Sequence, residues 1–96
     1  MSDVVTEAVA ALNAKMDGQG FDGSAKFDIA GEGSIIIDQE GARAGDDDTD
    51  VTLTATTDVF KAILDGEMNP TTAFMTGKLT VDGDMGQAMK LSGVLG

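Results

Sequence analysis

The chain has 96 residues, with 17 acidic and 6 basic side chains, a formal net charge of −11, 13 glycines, one proline and no histidine, cysteine, tryptophan or tyrosine. That is one domain's worth of chain, with an expected radius of gyration of about 12 Å. Disulfides, thiol chemistry and imidazole chemistry are excluded outright.

The charge also limits partners. Lys15, Lys26, Arg43, Lys61, Lys78 and Lys90 are scattered singly, so they assemble no basic stripe for phosphates and nucleic acid is not expected as a partner. An anionic lipid surface should repel the chain, which leaves at most transient membrane contact. The longest aliphatic run, Ile35-Ile36-Ile37, is far short of the ~18 residues of a membrane span. Met1-Ser2-Asp3-Val4 has neither the basic nor the apolar region of a signal peptide, so a cytoplasmic location is the default expectation.

Along the chain, Val5, Ala8, Val9, Leu12 and Met16 recur at helical spacing, which predicts a helix from about Ser2 to Met16. Ser2 or Asp3 is its expected cap, and Gly18 follows its end. Gly18, Gly20 and Gly23 then form a turn region around Phe21. From Ser24 the period becomes two: Ala25, Phe27 and Ile29 alternate with Lys26 and Asp28 as a strand with one wet face. A second strand is expected over Ser34 to Asp38, a short third from Ala42 to Gly45, and a fourth, rich in β-branched residues, from Val51 to Thr56. The short connections favour antiparallel hairpins.

Helical spacing returns with Val59, Phe60, Ile63 and Leu64, capped by Thr57 or Asp58 and stopped by Gly66. Asn69-Pro70 opens a short helix to about Met75, since proline suits the first helical position. Lys78 to Asp82 reads as a fifth strand with Leu79 and Val81 on one face. Asp84 caps a last helix, with Gln87 at capping-box spacing and Met85, Ala88 and Met89 on one side. This order indicates an α+β domain, a five-stranded, largely antiparallel sheet with helices packed on one face.

Most candidate chemistry fails on context. Gly18-Gln19-Gly20-Phe21-Asp22-Gly23 matches G-x-G-x-x-G, but it follows a helix and precedes a strand, the reverse of a phosphate-binding turn. Asp46, Asp48 and Asp50 have the spacing that starts a calcium loop, yet Val51 and Thr57 stand where glycine and glutamate are required. A solvated acidic turn explains them. The remaining carboxylates sit at caps and turns, where backbone hydrogen bonding accounts for them. No catalytic site, metal or cofactor is expected. Met16, Met68, Met75, Met85 and Met89 lie in helices or at their edges. Methionine suits surfaces that meet varied apolar partners, but composition cannot separate a methionine-filled core from a methionine-lined cavity.

The run from Asn69 through Thr76-Gly77-Lys78-Leu79-Thr80-Val81-Asp82-Gly83-Asp84-Met85-Gly86-Gln87-Ala88-Met89-Lys90-Leu91 resembles the carboxyl-terminal signature of the sterol carrier protein type 2 domain family. The Asp50-Val51-Thr52-Leu53-Thr54 strand with Phe60, Leu64 and Gly66, and the glycine-punctuated hairpin from Phe27 to Ala42, are similar to the same domain. The resemblance covers about residues 5 to 93, and it implies helices over a five-stranded sheet enclosing an apolar tunnel. It further implies non-catalytic lipid binding and transfer of fatty acid, fatty acyl thioester, sterol-like or other apolar lipid. By position the implied lining is Phe60, Ile63, Leu64, Met68, Phe74, Met75, Met85 and Met89, with Leu12 and Met16 as lid contacts. Thr71, Thr72, Lys78, Asp82 and Asp84 read as structural. The competing expectation is a protein-interaction or accessory module for a lipid-metabolising enzyme, which would make such an enzyme a partner.

Overall fold

A computed structural model describes residues 3–17 and 20–95. Ser2 as a cap, and Gly18 and Gln19 at the end of the first helix and the start of the Gly18–Gly23 turn, therefore lie outside the described residues. The elements are α1 (Asp3–Met16), β1 (Ala25–Ile29), β2 (Gly33–Asp38), β3 (Gly41–Ala44), β4 (Val51–Ala55), α2 (Thr57–Leu64), α3 (Pro70–Met75), β5 (Leu79–Gly83) and α4 (Met85–Leu95). The radius of gyration is 11.6 Å.

The strands form one five-stranded sheet in the order β3-β2-β1-β4-β5. The expected hairpins β1–β2 and β2–β3 are present and antiparallel, as is the β4–β5 pair. The connection from β3 to β4 is different. It does not close a hairpin, and β4 pairs in parallel with β1, Phe27 opposite Leu53. A parallel neighbour requires a crossover, and residues 45–50 supply it. A β-carbon on Gly45 would lie 3.2 Å from Ile36 Cγ1, the Lys26 ammonium donates to Asp46 Oδ1 at 2.8 Å, and Asp50 N–H donates to Ser24 Oγ at 2.9 Å. The crossover thus passes over the face that bears Ile36 and Lys26. This explains why Ile35, Ile36 and Ile37 are all buried although their side chains alternate in direction.

Helices cover the other face. Ala25, Phe27 and Ile29 of β1 and Val51, Leu53 and Ala55 of β4 are buried at every second position. They share one core with Val5, Ala8, Leu12 and Met16 of α1, Phe60 and Ile63 of α2, Ala73 of α3 and Ala88, Leu91 and Leu95 of α4. The Phe27 and Phe60 rings meet at its centre, 4.3 Å apart and tilted by 56°. Burying one such side chain is worth about 1.5–3 kcal/mol relative to leaving it in water.

Helix ends differ from the expectation in two places. Thr56, not Thr57 or Asp58, caps α2, its hydroxyl accepting from Val59 N–H at 3.3 Å. Thr56 is still extended, at φ −73° and ψ 163°, but the strand ladders end at Ala55 and the Thr56 hydroxyl already serves the helix. At α4 the Asp84 carboxylate accepts from Gly86 and Gln87 N–H, but the capping box is only half formed. Asp84 N–H is taken by Asp50 C=O at 2.9 Å, so Gln87 has no donor to reach back to.

Candidate functional site

Three consecutive elements of the second half enclose a cleft. Asn69 Oδ1 accepts from Thr71 N–H at 2.8 Å and Thr72 N–H at 3.3 Å, with Pro70 at the first helical position. These contacts satisfy amides that a helix start leaves open. Lys78 N–H to Ala73 C=O then turns the chain into β5, and the bond from Asp84 N–H to Asp50 C=O anchors the start of α4 beside the start of β4.

Between these elements, Leu53, Leu79 and Val81 form a floor, Pro70, Thr71 and Phe74 one wall, and Met85, Ala88, Met89 and Ser92 the other. The α4 residues follow i, i+3, i+4, i+7 spacing and so occupy one helical face. The cleft is open and holds about 50 Å³, well below the ~300 Å³ at which pockets begin to enclose a small molecule. None of the described residues lining it carries a charge. A second groove of about 270 Å³ lies between α1 and α2, with Ala8, Ala11, Phe60 and Leu64 along it and Glu7, Lys61 and Asp65 among its lining.

The residues implied by the family resemblance divide among four environments. Phe74, Met85 and Met89 are together in the cleft. Leu64 lines the α1–α2 groove, which Phe60, fully buried in the core, borders from beneath. Leu12, Met16 and Ile63 are buried in the core, and Met68 is half-buried against it. Met75 is 79% exposed and lines neither space. The methionines of α4 and of the α3 end are therefore surface residues, with Met85 47% and Met89 62% exposed. An enclosed tunnel is not what the described residues outline in this state.

The sequence reading did not select Leu53, Leu79, Val81 and Ala88 for the cleft, although their period-two and helical spacing had already placed them on inward faces. Thr71 was assigned to structure, and Ser92 carried no signal apart from its spacing from Met85 and Met89. Their hydroxyls stand 3.4 Å apart across the α3–α4 boundary.

The perturbed ionisable groups lie elsewhere. The Lys26 ammonium is held above its ordinary pKa by its hydrogen bond to Asp46. Asp38 is held below the usual carboxylate range by Glu40 N–H and then by the Arg43 guanidinium, 2.9 Å away. Among the described residues no three metal-ligating side chains are gathered, and no helix is long and apolar enough to cross a membrane.

Comparison with known proteins agrees with this architecture. The model of the SCP-2 sterol transfer family matches residues 5–96. Hydroxysteroid dehydrogenase-like protein 2 of Danio rerio is 36% identical over 74 residues, 69% of this chain and 18% of that protein. Sterol carrier protein 2 of Gallus gallus is 41% identical over 61 residues, 64% of this chain and 10% of that protein. The chain thus spans less than a fifth of either relative. Among solved structures, a sterol carrier protein-2 from Aedes aegypti in complex with palmitate superposes with a TM-score of 0.77 at 23% identity, covering 99% of this chain and 96% of that one. Sterol carrier protein 2 like 2 from the same organism gives 0.78 at 22% identity, covering 95% of each chain. At such identities the likeness establishes the fold. Together with the family match over nearly the whole sequence, it leads to one conclusion: the chain belongs to the SCP-2 sterol transfer family.

Proposed function

We propose that this domain binds and transfers an apolar lipid without catalysing a reaction, and that the cleft between α3, β5 and α4 is where the lipid enters. The observation that carries this reading is the uncharged cleft, with Phe74, Met85 and Met89 exposed along it. A contiguous patch of large apolar side chains, unlike singly scattered ones, marks an interaction site or a ligand-binding groove. Family membership supports the reading, as does the palmitate complex formed by an Aedes aegypti relative of the same fold. Burial of about ten methylenes gains about 8 kcal/mol relative to water, but close to nothing relative to a bilayer. A carrier lined by adaptable methionine can therefore load and unload.

A whole alkyl chain needs more room than about 50 Å³. A line of packed apolar side chains leads inward from the cleft and would have to part to provide it. Leu53 in the cleft floor is the register neighbour of Phe27, the Phe27 ring meets Phe60, and Phe60 borders the α1–α2 groove. Opening along that line would join the two spaces into the tunnel that the family resemblance implies. Phe60, Ile63, Leu64, Leu12 and Met16 would then move from packing one another to contacting lipid.

Displacement of a fluorescent fatty acid from the full chain tests the reading. Saturable micromolar binding, reversed by unlabelled lipid, is expected. Absence of saturable binding across fatty acid, acyl thioester and sterol would overturn it. A second reading has its own observation: curated relatives are much longer proteins, and Met75 is exposed beyond the cleft. In that reading the domain presents its lipid to an enzyme, and turnover by that enzyme would rise when the loaded domain is added.

A further inference from the structure

The large apolar side chains left at the surface are not scattered. Among the described residues they are Phe74, Met75, Met85 and Met89. Three of them rim the α3–β5–α4 cleft, and Met75, 79% exposed, follows Phe74 at the end of α3. The charge is divided along the same line. Residues 1–67 hold 15 of the 17 acidic and 4 of the 6 basic side chains, and so the whole net charge of −11. Residues 68–96, which build α3, β5 and α4, are neutral. From Met68 to Val81 the one charged residue is Lys78, which is exposed. Asp82 alternates with Val81 and so lies on the face of β5 away from the cleft floor, and the Asp84 carboxylate is engaged by Gly86 and Gln87 N–H.

The donors at the end of α3 are satisfied internally. Thr76, Gly77 and Lys78 N–H donate to Thr72, Phe74 and Ala73 C=O, and the Thr76 hydroxyl donates to Thr72 C=O at 3.0 Å. A protein partner is held through about one hydrogen bond per 100–200 Å², and these donors are already taken. A bilayer makes the opposite demand, apolar side chains on backbone that bonds to itself. Methionine adapts to the disorder of acyl chains. A second copy of the chain would bring another −11 with it and be repelled.

We propose that the end of α3 and the rim of the cleft form a docking face for a zwitterionic bilayer, with the acidic remainder of the chain turned away from it. Phe74 and the methionines enter the boundary between head groups and acyl chains, and Lys78 lays its stem there with its ammonium among the phosphates. The cleft then opens onto the membrane that gives or takes the lipid, so the proposal rests on the lipid-binding reading above and adds the surface through which it works. An anionic leaflet is the worse target. At about 0.01 M salt the Debye length is about 30 Å, as long as the molecule itself at 31 × 29 × 24 Å, so the whole negative charge feels that surface.

Flotation of the full chain with large vesicles at low salt tests this. The chain should float with pure phosphatidylcholine vesicles. Binding should be at least fivefold weaker, about the weight of one charge at such a surface, when about a third of the lipid is phosphatidylserine. That loss should be recovered at about 1 M salt, where the Debye length is about 3 Å. Met75→Glu should weaken binding to phosphatidylcholine vesicles at least fivefold, yet leave binding of a soluble fluorescent fatty acid unchanged. Ala10→Glu, the same charge change at an exposed site on α1, should alter neither. No flotation with phosphatidylcholine, or equal flotation of Met75→Glu, would overturn the docking face. Equal or tighter binding to the phosphatidylserine vesicles would overturn its preference for a zwitterionic surface. A parent that sediments as a dimer and becomes a monomer in Met75→Glu would give the face to a second copy instead. A parent that floats but binds no fluorescent fatty acid would remove the lipid-binding reading and leave the docking face standing.

Discussion

The Asn13 side chain bonds both backbone groups of Ala42: Asn13 Nδ2 donates to Ala42 C=O at 3.0 Å, and Ala42 N–H donates to Asn13 Oδ1 at 2.9 Å. One amide on α1 thus acts as a substitute strand residue along the outer edge of β3. It binds the helix to the sheet and covers part of an edge that would otherwise invite pairing with another chain. Gly41, at φ +109°, gives the amide room, since a β-carbon there would lie 2.8 Å from Asn13 Oδ1. Asn13→Ala should destabilise the fold by about 1–3 kcal/mol, two hydrogen bonds of ordinary strength. Asn13→Asp keeps the acceptor, loses the donor and should fall between. Urea denaturation of the three proteins checks the order.

Gln87 gives an opposite expectation. Its Oε1 is buried with no hydrogen-bond partner among the described residues, and its amide lies where a β-carbon on Gly23 would be. A buried acceptor without a partner costs about 1–3 kcal/mol, and an apolar side chain of similar length has no such cost. Gln87→Leu should therefore raise stability by about 1 kcal/mol, seen as a gain of roughly 4 °C or more in Tm. An unchanged or lower Tm would contradict it.

The methionines separate by position. Met89 lines the cleft and Met75 does not, although both are largely exposed. Met89→Ala should weaken lipid binding roughly five- to tenfold through lost apolar contact, whereas Met75→Ala should leave it unchanged. Probe displacement measures both, and equal losses would contradict the placement of the cleft.

Asp38 predicts a small acid dependence with a definite sign. Its folded pKa lies below the ordinary carboxylate value, chiefly because Glu40 N–H donates to it and then because of Arg43. Its contribution is therefore complete above the unfolded value of about 3.9 and is lost as pH falls towards the folded one. Asp38→Asn should be less stable than the parent at pH 6, and the difference should shrink below about pH 4. Equilibrium unfolding of both proteins across that range reads the difference directly, free of the common background from relief of the net charge of −11.

The elements were legible because local physics sets them. Alternation in Ala25–Ile29 and Val51–Ala55, helical spacing in α1, and the Asn69-Pro70 and Asp84 caps each act within a few residues. The parallel pairing of β1 with β4 was not legible, because a short connection after β3 resembles any hairpin loop. Only the fit of residues 45–50 over Ile36 and Lys26 selects the crossover. The site was legible in part for a related reason. Periodicity marks Leu53, Val81 and Ala88 as inward-facing, but it does not divide inward positions between sealed core and cleft. Leu12 and Met85 look alike as apolar helix positions, yet one is fully buried and the other 47% exposed. Family resemblance grouped them, and the packing of α3 against β5 and α4 separates them.

The most direct measurement uses the methionines as reporters. The chain labelled with ¹³C at the methionine methyl groups is titrated with dodecan-1-ol and followed by NMR. If the α3–β5–α4 cleft takes up lipid, the Met85 and Met89 signals shift saturably and together, while Met75 stays in place. Saturable binding that moves Met75 and leaves Met85 and Met89 unchanged, or no saturable shift at all, would contradict the account.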